Sequence, residues 1–85
     1  MPKNIKCYDN GGKTLDRYTV VYLDQPAGHK GNLFECVGMN ETPFHPQGFG
    51  QHSIASVGKH LGKEIPFESL PIDCQTLVNR DLTQS

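Results

Sequence analysis

Apolar residues follow the two-residue repeat of a β-strand most clearly in the segment 16–24. This segment is rich in β-branched and aromatic residues and contains no Gly or Pro. From Tyr18 to Leu23, apolar side chains alternate onto both faces of the predicted strand. Strands with two apolar faces are usually covered on both sides, so we predict that 16–24 is the central strand of a sheet.

Two shorter segments have the composition of neighbouring strands. Residues 4–8 mix apolar and polar side chains and precede Asn10-Gly11-Gly12, which tolerates the positive φ of a tight hairpin. Residues 32–39 carry apolar groups on both faces and follow a stretch with the composition of a connection. We predict that both segments pair antiparallel with 16–24, the second through a loop of about seven residues.

The C-terminal part of the chain predicts a short strand followed by a helix. Residues 60–67 have a strand pattern that Pro66 ends, as in edge strands. Residues 71–82 place apolar side chains at helical spacing, and Pro71 suits the first position of a helix. The apolar stripe of this helix consists of Leu70, Cys74, Leu77, Val78 and Leu82.

Residues 40–52 combine two prolines and two glycines with two phenylalanines. The prolines and glycines argue against a regular helix or strand, and a connection of this length is uncommon in a compact domain. We predict an ordered loop that Phe44 holds to the sheet, with several polar side chains partly exposed. Those polar side chains belong to His45, Gln47, Gln51 and His52.

Together these elements predict one α+β domain that spans residues 1–85. The domain would contain a small, mostly antiparallel sheet of three to four strands, one C-terminal helix and a long, ordered Pro/Gly-rich loop. Because one helix covers one face, the two-faced strands need a second cover. The segment 44–54 would supply that cover, or a second copy of the chain would do so in a two-fold homodimer.

Charge and cysteine content narrow the range of functions. With eight basic and nine acidic residues the net charge is −1, which argues against a general nucleic-acid binder. The sequence contains no apolar run near the ~20 residues of a membrane span, so no membrane partner is expected. Three cysteines without a C-x-x-C pair predict free, mostly buried thiols in a cytoplasmic protein.

Gly12-Lys13-Thr14 matches the end of a phosphate-binding P-loop but not the rest of the motif. The motif needs Gly five positions before Gly12, where Cys7 stands, and a helix rather than a strand afterwards. Two interpretations of the turn stay open. It is either a hairpin turn with a solvated lysine, or a set of backbone N–H groups around 10–12 that binds an anion.

The four histidines are His29, His45, His52 and His60. A zinc site could use three of them, with Cys36 as a further ligand, but their spacing matches no zinc-ligand pattern. We therefore expect them to bond backbone groups, and no cofactor or metal is predicted. Cysteine catalysis would need the thiol of Cys36 near His45 or His52. The alternative function is therefore a small metal- or cysteine-dependent enzyme that uses His45, His52 and Cys36.

Three stretches of the chain carry a resemblance that spans most of its length. They are residues 9–22 (DNGGKTLDRYTVVY), 36–52 (CVGMNETPFHPQGFGQH) and 60–71 (HLGKEIPFESLP). These stretches resemble small uncharacterised proteins encoded by tailed bacteriophages and related bacterial mobile DNA. The resemblance implies a cytoplasmic accessory protein of phage or prophage type. It provides no known activity and no catalytic residue that could be transferred to this chain.

The function predicted from the sequence is that of a non-enzymatic binding module. Amides, imidazoles and an aromatic ring between glycines suit recognition of a small ligand or of a host protein. The predicted surface combines Asp16-Arg17-Tyr18 with the loop 40–52. Its binding residues are Arg17, His45, Gln47, Phe49, Gln51 and His52.

Overall fold

The computed structural model describes residues 4–27 and 32–84 as an antiparallel sheet with one helix packed on it. Its elements are β1 (Ile5–Asp9), β2 (Tyr18–Pro26), β3 (Phe34–Met39), β4 (Gly50–Ala55), β5 (Lys63–Ile65) and α1 (Ile72–Gln84). Short 3₁₀ turns lie at Lys59–Leu61 and Phe67–Ser69. The strands lie in the order β4-β3-β2-β1-β5. The α+β class is confirmed, but the predicted three to four strands are too few, because this sheet has five.

The predicted central strand is β2, which lies in the middle of the sheet. Its alternating apolar residues are buried on both faces, and Val20 and Val21 are both 0% exposed. Val20 faces Cys7 in β1 and Val37 in β3, and both pairings are antiparallel as predicted. Register is strongly specified here, because a slip of one residue would exchange the two apolar faces.

The connection between β1 and β2 is a wider turn than a two-residue hairpin. The backbone N–H of Asn10 donates to the Arg17 carbonyl at 2.9 Å and closes it. Gly11 and Gly12 have positive φ angles of 78° and 88°, as their sequence position indicated. The Asp9 carboxylate accepts the Gly11 N–H, and the Asn10 side chain accepts those of Gly12 and Lys13. These N–H groups are therefore used within the turn, which argues against the anion-binding interpretation.

Helix α1 covers one face of the sheet, called here the helix face. The predicted stripe is buried at Leu70, Cys74, Leu77 and Val78, and Leu82 is half-buried. These residues pack against alternate residues of β1, β2 and β3 in the larger of two apolar clusters. The helix thus forms as predicted, and it begins at Ile72, directly after Pro71.

The opposite face, called here the second face, has a smaller buried cluster. Tyr8, Val21 and Cys36 form it, and Leu61 packs against it. Leu61 belongs to the segment 56–62, called here the crossover segment, which joins β4 at one edge of the sheet to β5 at the other. It has to span four strand spacings, about 19 Å, and therefore passes over the sheet.

The cover predicted for the second face is wrong in its details. Phe44 is 43% exposed and Ile54 is 56% exposed, so neither closes that face. The prediction of one irregular loop over 40–52 is also wrong, because β4 begins at Gly50 and the connection is only 40–49. Gly50 begins this edge strand, and a Cβ there would make an ordinary van der Waals contact with Leu77 at 3.4 Å.

Candidate functional site

A groove of about 430 Å³ lies between the crossover segment and the second face. Its volume is within the ~300–1,000 Å³ typical of small-ligand sites. The groove is lined on one side by residues of the sheet and of the turns that precede β2 and β4, and on the other side by crossover residues. They include Asp16, Thr19, Phe49, Gln51, His60 and Leu61. The long connection β4-to-β5 therefore creates a site that no single stretch of sequence contains.

A second hollow of about 290 Å³ extends the groove towards the β1–β2 turn. It shares Asp16, Thr19, His60 and Leu61 with the groove. The turn adds the polar side chains of Asn10, Lys13 and Thr14. The two hollows thus adjoin each other, and the Lys13 ammonium group belongs to the lining of the second one.

The Asp16 carboxylate is held in place by neighbouring polar groups. The Thr14 hydroxyl donates to Asp16 Oδ1, and Asn10 Nδ2 donates to Thr14 Oγ1 at 2.9 Å. Asp16 also lies directly above Gly38 in β3, where a Cβ would come within 2.7 Å of the Asp16 Cβ. Any side chain at position 38 would therefore displace the carboxylate from the floor of the groove.

The apolar part of the groove adjoins this carboxylate. Phe49 is half-buried and lies next to β4, while Gln51 extends from β4 on the second face. Thr19 is the buried polar residue of the sheet, at 6% exposure, and its position in β2 brings it between Asp16 and the cluster around Val21. A carboxylate acceptor, an amide and an aromatic ring thus surround one hollow.

The cysteines are unsuited to nucleophilic chemistry at neutral pH. Burial raises the pKa of the Cys36 thiol above its ordinary value, and burial likewise raises the pKa of Cys7 and Cys74 to about 12. A thiolate is the reactive form of cysteine, so these groups remain protonated and inert. All three are free and buried, as the sequence predicted.

The residues of the alternative enzyme do not come together. Cys36 faces Ser53 in the β3–β4 ladder and lies on the second face. His52 directly precedes Ser53 in β4 and points to the helix face, where its Nε2 lies 2.7 Å from Asp81 Oδ2. His45 lies in the exposed turn after β3 and accepts the Gln47 N–H through Nδ1. Successive strand residues point to opposite faces, so Cys36 and His52 are separated by the sheet.

The predicted binding residues are distributed over four places. Phe49 and Gln51 line the groove, whereas His45 and Gln47 lie in the exposed turn. His52 lies on the helix face with Asp81, which also accepts the hydroxyl of the buried Tyr22 at 2.8 Å. This contact joins β4, β2 and α1. Burial, and then the hydrogen bond to Asp81, raise the pKa of Tyr22 well above its ordinary range.

Arg17 lies in an ion-pair cluster rather than in the groove. Its guanidinium donates to Asp9 at 2.9 Å and to Glu41 at 2.9 Å, and it lies 5.1 Å from the centre of the Tyr18 ring. The hydrogen bond from Arg17 holds the pKa of Asp9 below its usual value. Both acids raise the pKa of Arg17, so this cation is already paired.

The sequence pattern did not indicate Thr19 as a site residue, and it offered His60 only as a candidate metal ligand. Thr19 reads as an ordinary strand residue, and His60 is distant from it in the chain. Only the path of the crossover segment brings His60 over the sheet. Asp16 was adjacent to the predicted Arg17, but its role depends on Gly38, which no local motif indicates.

Residues 4–27 and 32–84 contain no group of three or more His, Cys, Asp or Glu side chains able to hold a metal ion. His29, a candidate ligand in the sequence, lies outside the described residues. Over the same two ranges, no helix combines the length and the apolar character needed to cross a membrane.

Comparison with known proteins leaves the geometry as the basis for interpretation. No protein-family model matches the chain. No curated protein and no solved structure is significantly similar to it.

Proposed function

We propose that the protein is a small non-enzymatic binding module that holds a small aromatic molecule with a protonated amine in the second-face groove. The observation that carries this proposal is the Asp16 carboxylate, which accepts a hydrogen bond from Thr14 and occupies the space that the missing side chain of Gly38 leaves in the groove. Asp16 is the formally charged residue among those that line the 430 Å³ groove. An ammonium group is the natural partner of such a carboxylate, because charge-assisted hydrogen bonds are the strong ones.

The remainder of the ligand is indicated by the neighbouring side chains. The half-buried Phe49 offers a ring against which a planar group can stack, and Gln51 offers an amide donor and acceptor. The inert thiols and the separation of Cys36 from His52 support binding rather than catalysis.

The direct test is a titration with benzylamine as the probe, followed by amide shifts in ¹H–¹⁵N spectra. We expect shifts at Thr19, Gly38, Gln51 and His60. Asp16→Asn should weaken binding at least about tenfold, because a hydrogen bond to a charged group contributes about 1.5–3 kcal/mol. Glu35→Gln is the matched control, since Glu35 is exposed and its position in β3 directs it to the helix face.

Benzoate and benzyl alcohol show whether the positive charge of benzylamine contributes to its affinity. Benzyl alcohol should bind more weakly than benzylamine, because it lacks the charge that faces Asp16. Stronger binding of benzoate than of benzylamine would mean that Lys13 or His60, rather than Asp16, dominates ligand recognition, and the proposal would be wrong. Shifts confined to residues outside the groove would exclude it as the site.

The biological setting that we propose is that of a cytoplasmic accessory protein of phage or prophage type. Its support is the sequence resemblance over residues 9–22, 36–52 and 60–71. The coding sequence should then lie among phage structural, replication or integration genes. A location among unrelated chromosomal genes, with no neighbouring mobile DNA, would contradict this setting.

A host protein is the second candidate partner, and the exposed connection 40–49 favours it. Phe44 is 43% exposed in this connection and lies under the Arg80 guanidinium, 5.2 Å away. An exposed aromatic ring beside a cation is a common feature of protein interfaces. Phe44→Ala should reduce capture of such a host protein from the host lysate, while Asp16→Asn should leave it unchanged.

A further inference from the structure

The two edges of the sheet differ in how they are protected from pairing with other strands. Strand β5 is three residues long, carries exposed Lys63 and Glu64, and is followed by Pro66. Short length, charges and proline are the usual protections of an edge. Strand β4 is six residues long and has none of them. Among the residues that the structure describes, β4 pairs with β3 alone.

The hydrogen-bond pattern shows which backbone groups of β4 face outward. The Asn40 N–H donates to the Phe49 carbonyl at 3.0 Å, so these residues form a hydrogen-bonded pair of the β3–β4 ladder. Such pairs alternate along an antiparallel ladder. Gly50, His52 and Ile54 therefore direct their N–H and C=O groups away from β3, towards the free edge.

We propose that β4 pairs antiparallel with β4 of a second copy, with the two-fold axis at His52. In this register His52 faces its own counterpart, and Gly50 of each copy faces Ile54 of the other. All three outward-facing residues of each strand then form hydrogen-bonded pairs. Moving the axis by one or two residues leaves at least one of them without a partner inside β4, so this register makes the most bonds.

Side-chain shapes and charge fit the same register. Ile54 is 56% exposed, and in the dimer it would lie over the other copy's Gly50, whose missing side chain leaves space beside Leu77 and Pro43. The segment 49–57 contains no Asp, Glu, Lys or Arg, so the two strands do not repel each other. A large apolar residue thus meets a glycine twice, once at each end of the pairing.

The interface formed this way is small. A six-residue edge buries less than the ~800 Å² per partner of a standard interface, so we expect a concentration-dependent dimer. The inference rests on the outer edge of β4 and not on the proposed ligand, although Ile54 is also among the residues that line the groove. This dimer also differs from the sequence-based one, in which the partner covers the second face.

Analytical ultracentrifugation over a wide concentration range tests the association. The wild-type chain should approach twice its 9.4 kDa mass as concentration rises. Ile54→Lys should weaken the dimer about 100-fold, since two apolar contacts are lost per dimer at about tenfold each. Ile72→Lys is the matched control, because Ile72 is 73% exposed and lies at the start of α1. A monomer at every accessible concentration would overturn the proposal.

Disulfide cross-linking tests the register. His52→Cys should cross-link on oxidation, because the Cα atoms of a hydrogen-bonded antiparallel pair are ~5.5 Å apart, within disulfide range. Gln51→Cys and Ser53→Cys should not, since each would lie two residues out of register from its counterpart, beyond the ~7 Å limit. A dimer that Ile54→Lys leaves intact, or that cross-links equally through all three positions, would contradict β4 pairing about His52.

Discussion

The helix face and the second face belong to the same five strands but are covered in different ways. On the helix face, α1 closes a large cluster in which Val20, Val37 and Val78 are all 0% exposed. On the second face, the crossover segment packs Leu61 on a small cluster and leaves grooves beside it. The difference implies that the helix face supplies most of the stability, whereas the second face leaves room for the proposed ligand.

The largest effect should come from the centre of the helix face. Leu77 is 8% exposed and contacts the core from α1, so Leu77→Ala should reduce the free energy of unfolding by about 2–5 kcal/mol. Urea denaturation measures this loss. Ile72→Ala, on the exposed side of the same helix, is the control and should change stability by less than about 0.5 kcal/mol. Equal effects of both variants would mean that the helix face is not the main source of stability.

The anchor of the crossover segment should be the next most sensitive position. Gly62 has a φ of 114°, and a Cβ there would lie 2.4 Å from the Asp9 carbonyl oxygen. Backbone strain of this kind costs about 1–3 kcal/mol, and the steric conflict adds to it, so Gly62→Ala should lower the unfolding midpoint clearly. Gly12→Ala has the strain without the conflict, since nothing lies within 4 Å of its Cβ. Equal destabilisation of the two variants would show that the close approach of Gly62 to the Asp9 carbonyl does not affect stability.

The ion pair at the end of the sheet should give a smaller, pH-dependent effect. The folded state holds the pKa of Asp9 below its ordinary value through the hydrogen bond from Arg17. A lowered pKa stabilises the fold above the ordinary carboxyl pKa of about 3.9, and this contribution is lost as pH falls through the lower folded value. Asp9→Asn should therefore reduce stability at neutral pH and weaken its decline in acid, as thermal melts across this range would show. If Asp9→Asn and Arg17→Met were fully additive, the pair would not be coupled.

The smallest effects should come from the surface contacts of β4 and the connection before it. His52 and Phe44 are both exposed, so each alanine variant should cost no more than about 1 kcal/mol. For Phe44 this replaces the expectation from the sequence, in which the ring holds the loop to the sheet and contributes to stability. Melting temperatures of the two variants at low protein concentration check this. A large loss for His52→Ala would mean that its contact with Asp81 is structural.

The elements that could be predicted from the sequence are those whose secondary structure is determined by residues close together in the chain. The strand β2 and the helix α1 have strong periodic patterns, and the tertiary structure reinforces them. Strand β4 was missed because Gly50 argued against a strand, whereas its pairing with Met39 of β3 places it in the sheet. In that case packing between distant segments overrode local composition.

The candidate site was predicted only in part for the same reason. Phe49 and Gln51 could be singled out as polar and aromatic groups in an unusual segment, and the structure places both in the groove. His60 joins them because a seven-residue path has to cross the whole sheet, and no pattern in the sequence predicts that path. The position of Asp16 depends on a glycine in another strand.

The crossover segment also sets the order in which this protein can fold. Strands β1 to β4 pair with their neighbours in sequence, but Cys7 of β1 pairs with Ile65 of β5. Closing that long loop is entropically costly until the strands between have formed, so local hairpins should precede it. The groove therefore forms late, and substitutions in it should accelerate unfolding without slowing folding. Ligand binding would then act mainly by extending the lifetime of the folded state.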